Sequence, residues 1–218
     1  MDRRIATITL DRVIPAVFET SEVTASEVWL RRVELRRPGS YLVEAASGMG
    51  KSSLCSFIYG VRRDYHGTIS LDGRDIRSFT AAELAGLRRS HLAVVPQDLR
   101  LFATLTAIEN VMVKNRLTDR YDEATIRRMF DRLGIASRAD TPVSRMSLGQ
   151  QQRVAVIRAL CQPFDFILLD EPVSHLDAAS NAAVAALIGE TARANDASVI
   201  ITSIGNRLSL DTDTTIRL

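Results

Sequence analysis

Tyr41-Leu42-Val43-Glu44-Ala45-Ala46-Ser47-Gly48-Met49-Gly50-Lys51-Ser52 passes from an apolar run, through a glycine-bearing turn, to the threshold of a helix. Tyr41-Leu42-Val43 reads as a buried strand and Ser47-Gly48-Met49-Gly50 as a tight turn. Ser52 to Tyr59 opens a helix whose apolar face carries Leu54, Phe57 and Ile58. A strand feeding such a turn and then a helix aims several backbone N–H groups, and the positive helix end, at one point. An anion belongs there. Among 28 basic residues only Lys51 and Lys114 are lysines. A compact ammonium serves as a point charge between phosphates where a planar guanidinium fits less well. Ser52 would place its hydroxyl on Mg²⁺. The pattern G-x-x-x-x-G-K-[ST] is met except at its first glycine, where Ala45 stands. Alanine is tolerated there if φ is negative and strained if φ is positive. Alone, the stretch also reads as a strand-to-helix turn with an incidental lysine.

Phe166-Ile167-Leu168-Leu169 is a continuous apolar run bounded by Pro163 and Pro172, too short for a helix, and reads as a central parallel strand. Asp170 and Glu171 then emerge at its carboxyl end. Open α/β sheets bind ligands at those ends, so both carboxylates face the crevice of the phosphate loop. Asp170 is the expected metal residue and Glu171 the expected general base.

Met146-Ser147-Leu148-Gly149-Gln150, followed by Gln151-Gln152-Arg153, begins a helix running toward Cys161. Ser147 and Gln150 have capping-box spacing, which makes this helix end a second anion-seeking site. With these residues the chain resembles the ATP-binding subunits of ABC transporters over essentially its whole length. The resemblance implies an α/β fold: a P-loop NTPase core with a mostly parallel sheet, an antiparallel β subdomain and an inserted α-helical subdomain. It implies that two copies, the same or similar, sandwich two Mg-ATP head to tail. Ser47, Gly48, Met49, Gly50, Lys51, Ser52 and Ser53 would cradle the phosphates, while Ser147, Gly149, Gln150 and Asp177 would reach the nucleotide held by the second subunit. Gln97, at the end of Leu92-Ala93-Val94-Val95-Pro96, would touch Mg²⁺ and the attacking water. Asp177 also reads as the N-cap of a helix starting near Ala178. Phe18 would stack on adenine, and reads equally as a core phenylalanine.

One further departure bears on activity. The family's switch histidine should follow Val199-Ile200-Ile201-Thr202, where Ser203 stands. A serine hydroxyl can hydrogen-bond phosphate or water but is shorter and carries no titratable charge. His175 is a possible substitute, though an ordinary surface or interface role fits it better. The resemblance thus implies an ATPase that powers a separate integral membrane permease, with Glu171, Gln97, Lys51 and Ser203 catalytic and Ser52, Gln97 and Asp170 holding metal. A second reading is a nucleotide-gated dimerising module with slow or no hydrolysis. The short length looks most like the lipoprotein-release, macrolide-export and cell-division branch. A chromosome-maintenance ATPase would interrupt the head with a long coiled coil, and the insert here has no sustained heptads.

Composition agrees with this class. The 218 residues, 46% hydrophobic and 25% charged, can bury one substantial core and a satellite lobe. No apolar run approaches the roughly 20 residues that cross a bilayer, and the first residues lack the apolar segment of a secretion signal. The expected location is therefore cytoplasmic, peripheral on the membrane through the permease. Net charge is +2 with scattered arginine pairs, so no nucleic acid is expected. Cys55 and Cys161 fall on helical stretches without metal spacing and read as reduced buried thiols. One domain over 1–218 is expected, with 1–97 and 147–218 forming the nucleotide-binding core and 98–146 the helical subdomain. Residues before Tyr41, and Gly67 to Gly73 with its Asp-Gly turn, read as antiparallel strands. Thr106 to Val113 reads as one helix; Ile126, Met129, Phe130 and Leu133, before Gly134, mark a face of another. Leu101 and Phe102 are candidates for the groove that, in the family, receives a helix of the membrane subunit.

Overall fold

The computed structural model describes residues 4–218; the first three positions of the expected domain lie outside the described residues. The strands are β1 (Thr7–Pro15), β2 (Arg32–Arg36), β3 (Ser40–Glu44), β4 (Tyr65–Leu71), β5 (Arg74–Asp75), β6 (Leu92–Val95), β7 (Phe166–Asp170), β8 (Ser198–Ser203) and β9 (Thr214–Arg217). The α-helices are α1 (Lys51–Ile58), α2 (Ala81–Ser90), α3 (Ala107–Asn115), α4 (Glu123–Arg132), α5 (Leu148–Leu160) and α6 (Ala178–Ala194).

Five strands form a parallel sheet in the order β6-β7-β8-β3-β9, and four form an antiparallel sheet in the order β2-β1-β4-β5. Every residue of β7 is buried, because neighbouring strands flank it and both its faces are covered. Side-chain alternation sorts the sheet into two cores. Leu42, Ala93, Val95, Ile167, Leu169, Val199 and Ile201 face the side closed by α3, α4, α5 and α6. Val43, Leu92, Phe166, Leu168 and Ile200 face the side closed by α1, α2 and the antiparallel sheet. Each fully buried Leu or Ile contributes about 1.5–3 kcal/mol, so a polar residue within 166–169 would oppose the fold on either face.

The helix starts are set by local chemistry. Thr80 with Glu83, Thr106 with Glu109 and Ser147 with Gln150 form reciprocal capping boxes. Asp122 accepts from the Thr125 amide and Asp177 from the Ser180 amide, each at 2.7 Å. Such caps are worth about 1 kcal/mol each. Ile126, Met129 and Phe130 bury one face of α4, and the chain leaves it through Gly134 at φ 66°. The stretch expected to turn helical at Asp98 does so only at Ala107, since Leu99 and Arg100 take left-handed backbone at φ 56° and 47°. The first helix there continues to Asn115 rather than ending at Val113. Cys161 is the residue that caps α5 rather than part of it. Both cysteines are buried and free, and burial raises both thiol pKa values, Cys161 to about 12.

Asp72-Gly73 joins β4 to β5 with φ 48° and 83°, the paired positive values of a tight hairpin turn. The Asp165 carboxylate, just before β7, fastens the two sheets. It accepts from Arg4 Nε at 2.8 Å and the Ile5 amide at 2.8 Å, and it lies 2.7 Å from His91 Nδ1. No described helix is long and apolar enough to cross a membrane.

Candidate active site at the carboxyl ends of the parallel strands

β3 stops at Glu44, and residues 45–50 turn the chain into α1. Gly50 is the N-cap at φ 91° and provides no side-chain cap. Among the described residues, nothing accepts from the amides of Gly48, Gly50, Lys51, Ser52 or Ser53, so they are open to an acceptor from outside the chain. Ala45 does not adopt positive φ, which is why an alanine is accommodated where the pattern has glycine.

Lys51 is only 5% exposed. Its ammonium donates to the carbonyls of Ala45 at 3.0 Å and Ala46 at 2.8 Å, and it stands 3.8 Å from Glu171 Oε1. The ammonium folds back beneath its own loop. Ser52 Oγ donates to Gln97 Oε1 at 3.2 Å, bringing the first turn of α1 against the loop after β6. A cavity of about 330 Å³ is lined by Ser52, Gln97 and Asp170 together with Ser56, Pro96, Asp98 and Arg100. Strands β3, β6 and β7 thus deliver Lys51, Ser52, Gln97, Asp170 and Glu171 to one region.

Asp170 is 4% exposed, and its Oδ1 accepts from Thr202 Oγ1 at 2.7 Å. Thr202, the last residue but one of β8, pairs with Asp170 in the register of β7 with β8. The carboxylate is therefore oriented, with Oδ2 left for another partner. Ser52 Oγ, Gln97 Oε1 and Asp170 Oδ2 are hard oxygen donors suited to a small, largely hydrated dication that also takes phosphate oxygens. Among the described residues, no group of three or more His, Cys, Asp or Glu side chains could hold a metal alone. The donors fit Mg²⁺ arriving with a nucleotide rather than a self-contained metal centre.

Glu171 has left-handed backbone, φ 51°, a conformation that non-glycine residues adopt uncommonly. Its amide donates to the Thr202 carbonyl at 3.2 Å and its carbonyl accepts from Gln152 Nε2 at 3.3 Å. Gln152 Nε2 also donates to Ser174 Oγ at 2.9 Å, while Gln152 Oε1 accepts from the His175 amide at 3.2 Å. This one side chain ties α5 to the loop between β7 and α6.

Ser147, which is exposed, caps α5, and Gly149 and Gln150 lie in its first turn. A Cβ on Gly149 would sit 2.7 Å from the His175 carbonyl oxygen, so the helix start and the 171–177 loop touch backbone to backbone. Asp177 caps α6, and hydrogen bonds from Ser180 hold its carboxyl below the usual range. Among the described residues, no hydrogen bond or ion pair joins Ser147, Gly149, Gln150 or Asp177 to the 47–53 loop. They form a second surface, beside the lysine site rather than within it.

Ser203 is buried, and its hydroxyl donates to the Asn206 carbonyl at 2.9 Å while accepting from the Gly205 amide at 3.1 Å. Its single proton is committed inside its own loop. His175 is exposed, with Nδ1 2.8 Å from Ser174 Oγ. Phe18 lies half-buried over the phosphate loop, its ring 3.2 Å from where a Gly50 Cβ would be. Thr202, Gln152 and Trp29, whose indole donates to the Met49 carbonyl at 3.1 Å, are contacts that sequence reading did not single out. Only a polar residue closing the apolar stretch Val199-Ile200-Ile201 hinted at Thr202.

The profile of one protein family, described as ABC transporter, matches residues 42–174. An uncharacterised ABC transporter ATP-binding protein of Mycobacterium tuberculosis is 40% identical over 72% of this chain and 48% of its own length. The lipoprotein-releasing system ATP-binding protein LolD of Novosphingobium aromaticivorans is 35% identical over 87% of each chain. The macrolide export ATP-binding/permease protein MacB of Sodalis glossinidius is 36% identical over 76% of this chain and 26% of its own. The chain thus spans about half the length, or less, of several curated relatives. Among solved structures, a dimeric ATP-binding cassette in a post-hydrolysis state with ADP and Pi superposes with a TM-score of 0.72 at 25% identity, covering 90% of this chain and 87% of that one. A bacterial Atm1-family ABC exporter with ATP bound gives 0.75 at 25% identity, covering all of this chain and 38% of that one.

Proposed function

Since the chain belongs to the ABC transporter family, we propose that it is an ATP-binding and hydrolysing subunit that dimerises around Mg-ATP and powers a separate membrane permease. The observation that carries this reading is the convergence of Lys51, Glu171 and the open amides of α1 with the Ser52–Gln97 hydrogen bond and Asp170. In it, Lys51 and the amides of Gly48, Gly50, Lys51, Ser52 and Ser53 bind the β- and γ-phosphates, while Met49 contributes its place in the loop and donates its own amide to the Ala46 carbonyl. Ser52, Gln97 and Asp170 hold Mg²⁺, which supplies charge neutralisation at the phosphate oxygens. Glu171 accepts the proton of the attacking water, with Gln97 orienting that water. Phe18 provides the aromatic surface at the adenine end. Ser147, Gly149, Gln150 and Asp177 complete the pocket of a second copy from across the interface, in keeping with their separate surface.

Residues 98–146 act as the helical subdomain. Between them and the core lies a cavity of about 240 Å³ lined by Tyr59, Val61, Val113, Lys114 and Arg158, among others. Exposed Val61, Val113 and Phe102 add apolar surface on the described chain, which supports docking of a permease there. The protein would then sit peripherally on the cytoplasmic face.

Phosphate release by the purified chain, compared with Glu171→Gln, tests the enzymatic claim. A wild-type rate clearly above the variant is expected, and equal background rates sink it. The engaged Ser203 hydroxyl supports the second reading, a nucleotide-gated dimerising module that hydrolyses slowly or not at all. Mg-ATP-driven dimers with equal background rates would favour that module.

A further inference from the structure

Trp29 is the chain's one tryptophan, and it is fully buried under the phosphate loop. Its indole N–H donates to the Met49 carbonyl at 3.1 Å. We infer that Trp29 is a positioning residue that sets the orientation of the Met49–Gly50 peptide for phosphate binding; this rests on the nucleotide reading of the loop.

In a trans peptide the C=O and N–H point in opposite directions. Holding the Met49 oxygen toward the indole therefore turns the Gly50 N–H away from it, toward the open side of the loop where Gly50, Lys51, Ser52 and Ser53 present amides without acceptors. The loop cannot enforce this alone. Gly50 stands at φ 91°, and glycine crosses between positive and negative φ with little cost. The residue that permits the cradle also permits its inversion, which would aim the Met49 carbonyl oxygen at the phosphate. The indole donor removes that freedom.

Trp29 can impose an orientation because it is itself fixed. Its amide donates to Ser26 Oγ at 2.8 Å, and the next amide, Leu30, donates to the Val13 carbonyl of β1 at 2.9 Å. The ring also closes the back of the turn. A Cβ on Gly50 would lie 3.1 Å from the Trp29 ring and 3.2 Å from that of Phe18, so the two rings leave no room there for a side chain.

Trp29→Phe keeps an aromatic ring and deletes the donor, and replacement by β-(3-benzothienyl)alanine keeps the bicyclic shape with sulfur in place of N–H. Calorimetric titration of the intact chain with ATP, and separately with inorganic triphosphate, measures the effect. Loss of one hydrogen bond of ordinary net strength corresponds to about two- to tenfold in affinity. Both ligands are expected to weaken by that factor in both variants, because the shared chemistry is phosphate and not base. Unchanged affinities in the shape-preserving variant, or weakening toward ATP but not triphosphate, overturn the assignment. Failure of the wild type to bind either ligand instead sinks the nucleotide reading on which it depends. A role confined to packing would lower the melting temperature of Trp29→Phe and leave triphosphate affinity of the benzothienyl variant at the wild-type value, which also overturns it.

Discussion

Replacing Glu171 by glutamine should tighten nucleotide binding, and the size of the effect follows from one distance. Lys51 Nζ and Glu171 Oε1 are 3.8 Å apart, with side chains only 4% and 12% exposed. At an effective dielectric of about 20, opposite charges at this separation attract by about 4 kcal/mol. A phosphate arriving at the loop competes with the carboxylate for the same ammonium and meets the carboxylate's repulsion. Because the phosphate takes over the neutralisation of Lys51, only part of the attraction is at stake, about 1–2 kcal/mol, or about five- to thirtyfold in affinity. ADP titrated by calorimetry without Mg²⁺, at low protein concentration, isolates this from hydrolysis and dimerisation. Added salt should change the difference between the two proteins little, since the pair is largely shielded from solvent. Equal or weaker ADP binding by Glu171→Gln would refute the claim that Glu171 competes with phosphate for Lys51.

Asp165→Asn should lower stability at neutral pH and flatten its acid dependence. Burial raises the Asp165 pKa, but hydrogen bonds from His91, Arg4 and Ile5 outweigh burial and hold it below the usual range. A depressed folded-state value means that the stabilisation is present above the unfolded carboxylate pKa of about 3.9 and is lost as pH falls through the folded one. Disrupting a buried pair costs about 3–5 kcal/mol; with Arg4 partly solvated, about 2–3 kcal/mol and a melting temperature about 5–10 °C lower are expected. The wild-type advantage, followed by circular dichroism, should shrink as pH drops below 4; an advantage constant down to pH 2 would contradict the assignment. Gly149→Ala should destabilise by about 1–3 kcal/mol through overpacking, because its Cβ would meet the His175 carbonyl at 2.7 Å and that backbone has nowhere soft to yield. An unchanged melting temperature would show that the helix start and the 171–177 loop are not rigidly apposed.

Two kinds of information separate what could be read from the chain and what could not. The phosphate loop, the β7 strand and the capped start of α5 are legible because their causes are local: glycines in a turn, an uninterrupted apolar run covered on both faces, a serine three residues before a glutamine. Local reading also framed the Ala45 question correctly, since the sign of φ decides it, but only the fold supplies that sign. The contacts that orient the chemical groups are not local. Thr202 reaches Asp170 across 32 residues, and Gln152 reaches Glu171 across 19. Trp29 meets Met49 across 20. Each depends on register or on two elements crossing, which composition and periodicity do not encode. Ser203 shows the same limit in reverse. Its place just after Val199-Ile200-Ile201-Thr202 is legible, yet whether its hydroxyl faces a ligand depends on the turn of Ile204, Gly205 and Asn206. Gly205, at φ 157°, holds a backbone that side-chain-bearing residues rarely adopt, and it precedes Asn206, whose carbonyl takes the serine proton. For Ser203 to donate to a phosphate, its hydrogen bond to the Asn206 carbonyl must first be broken.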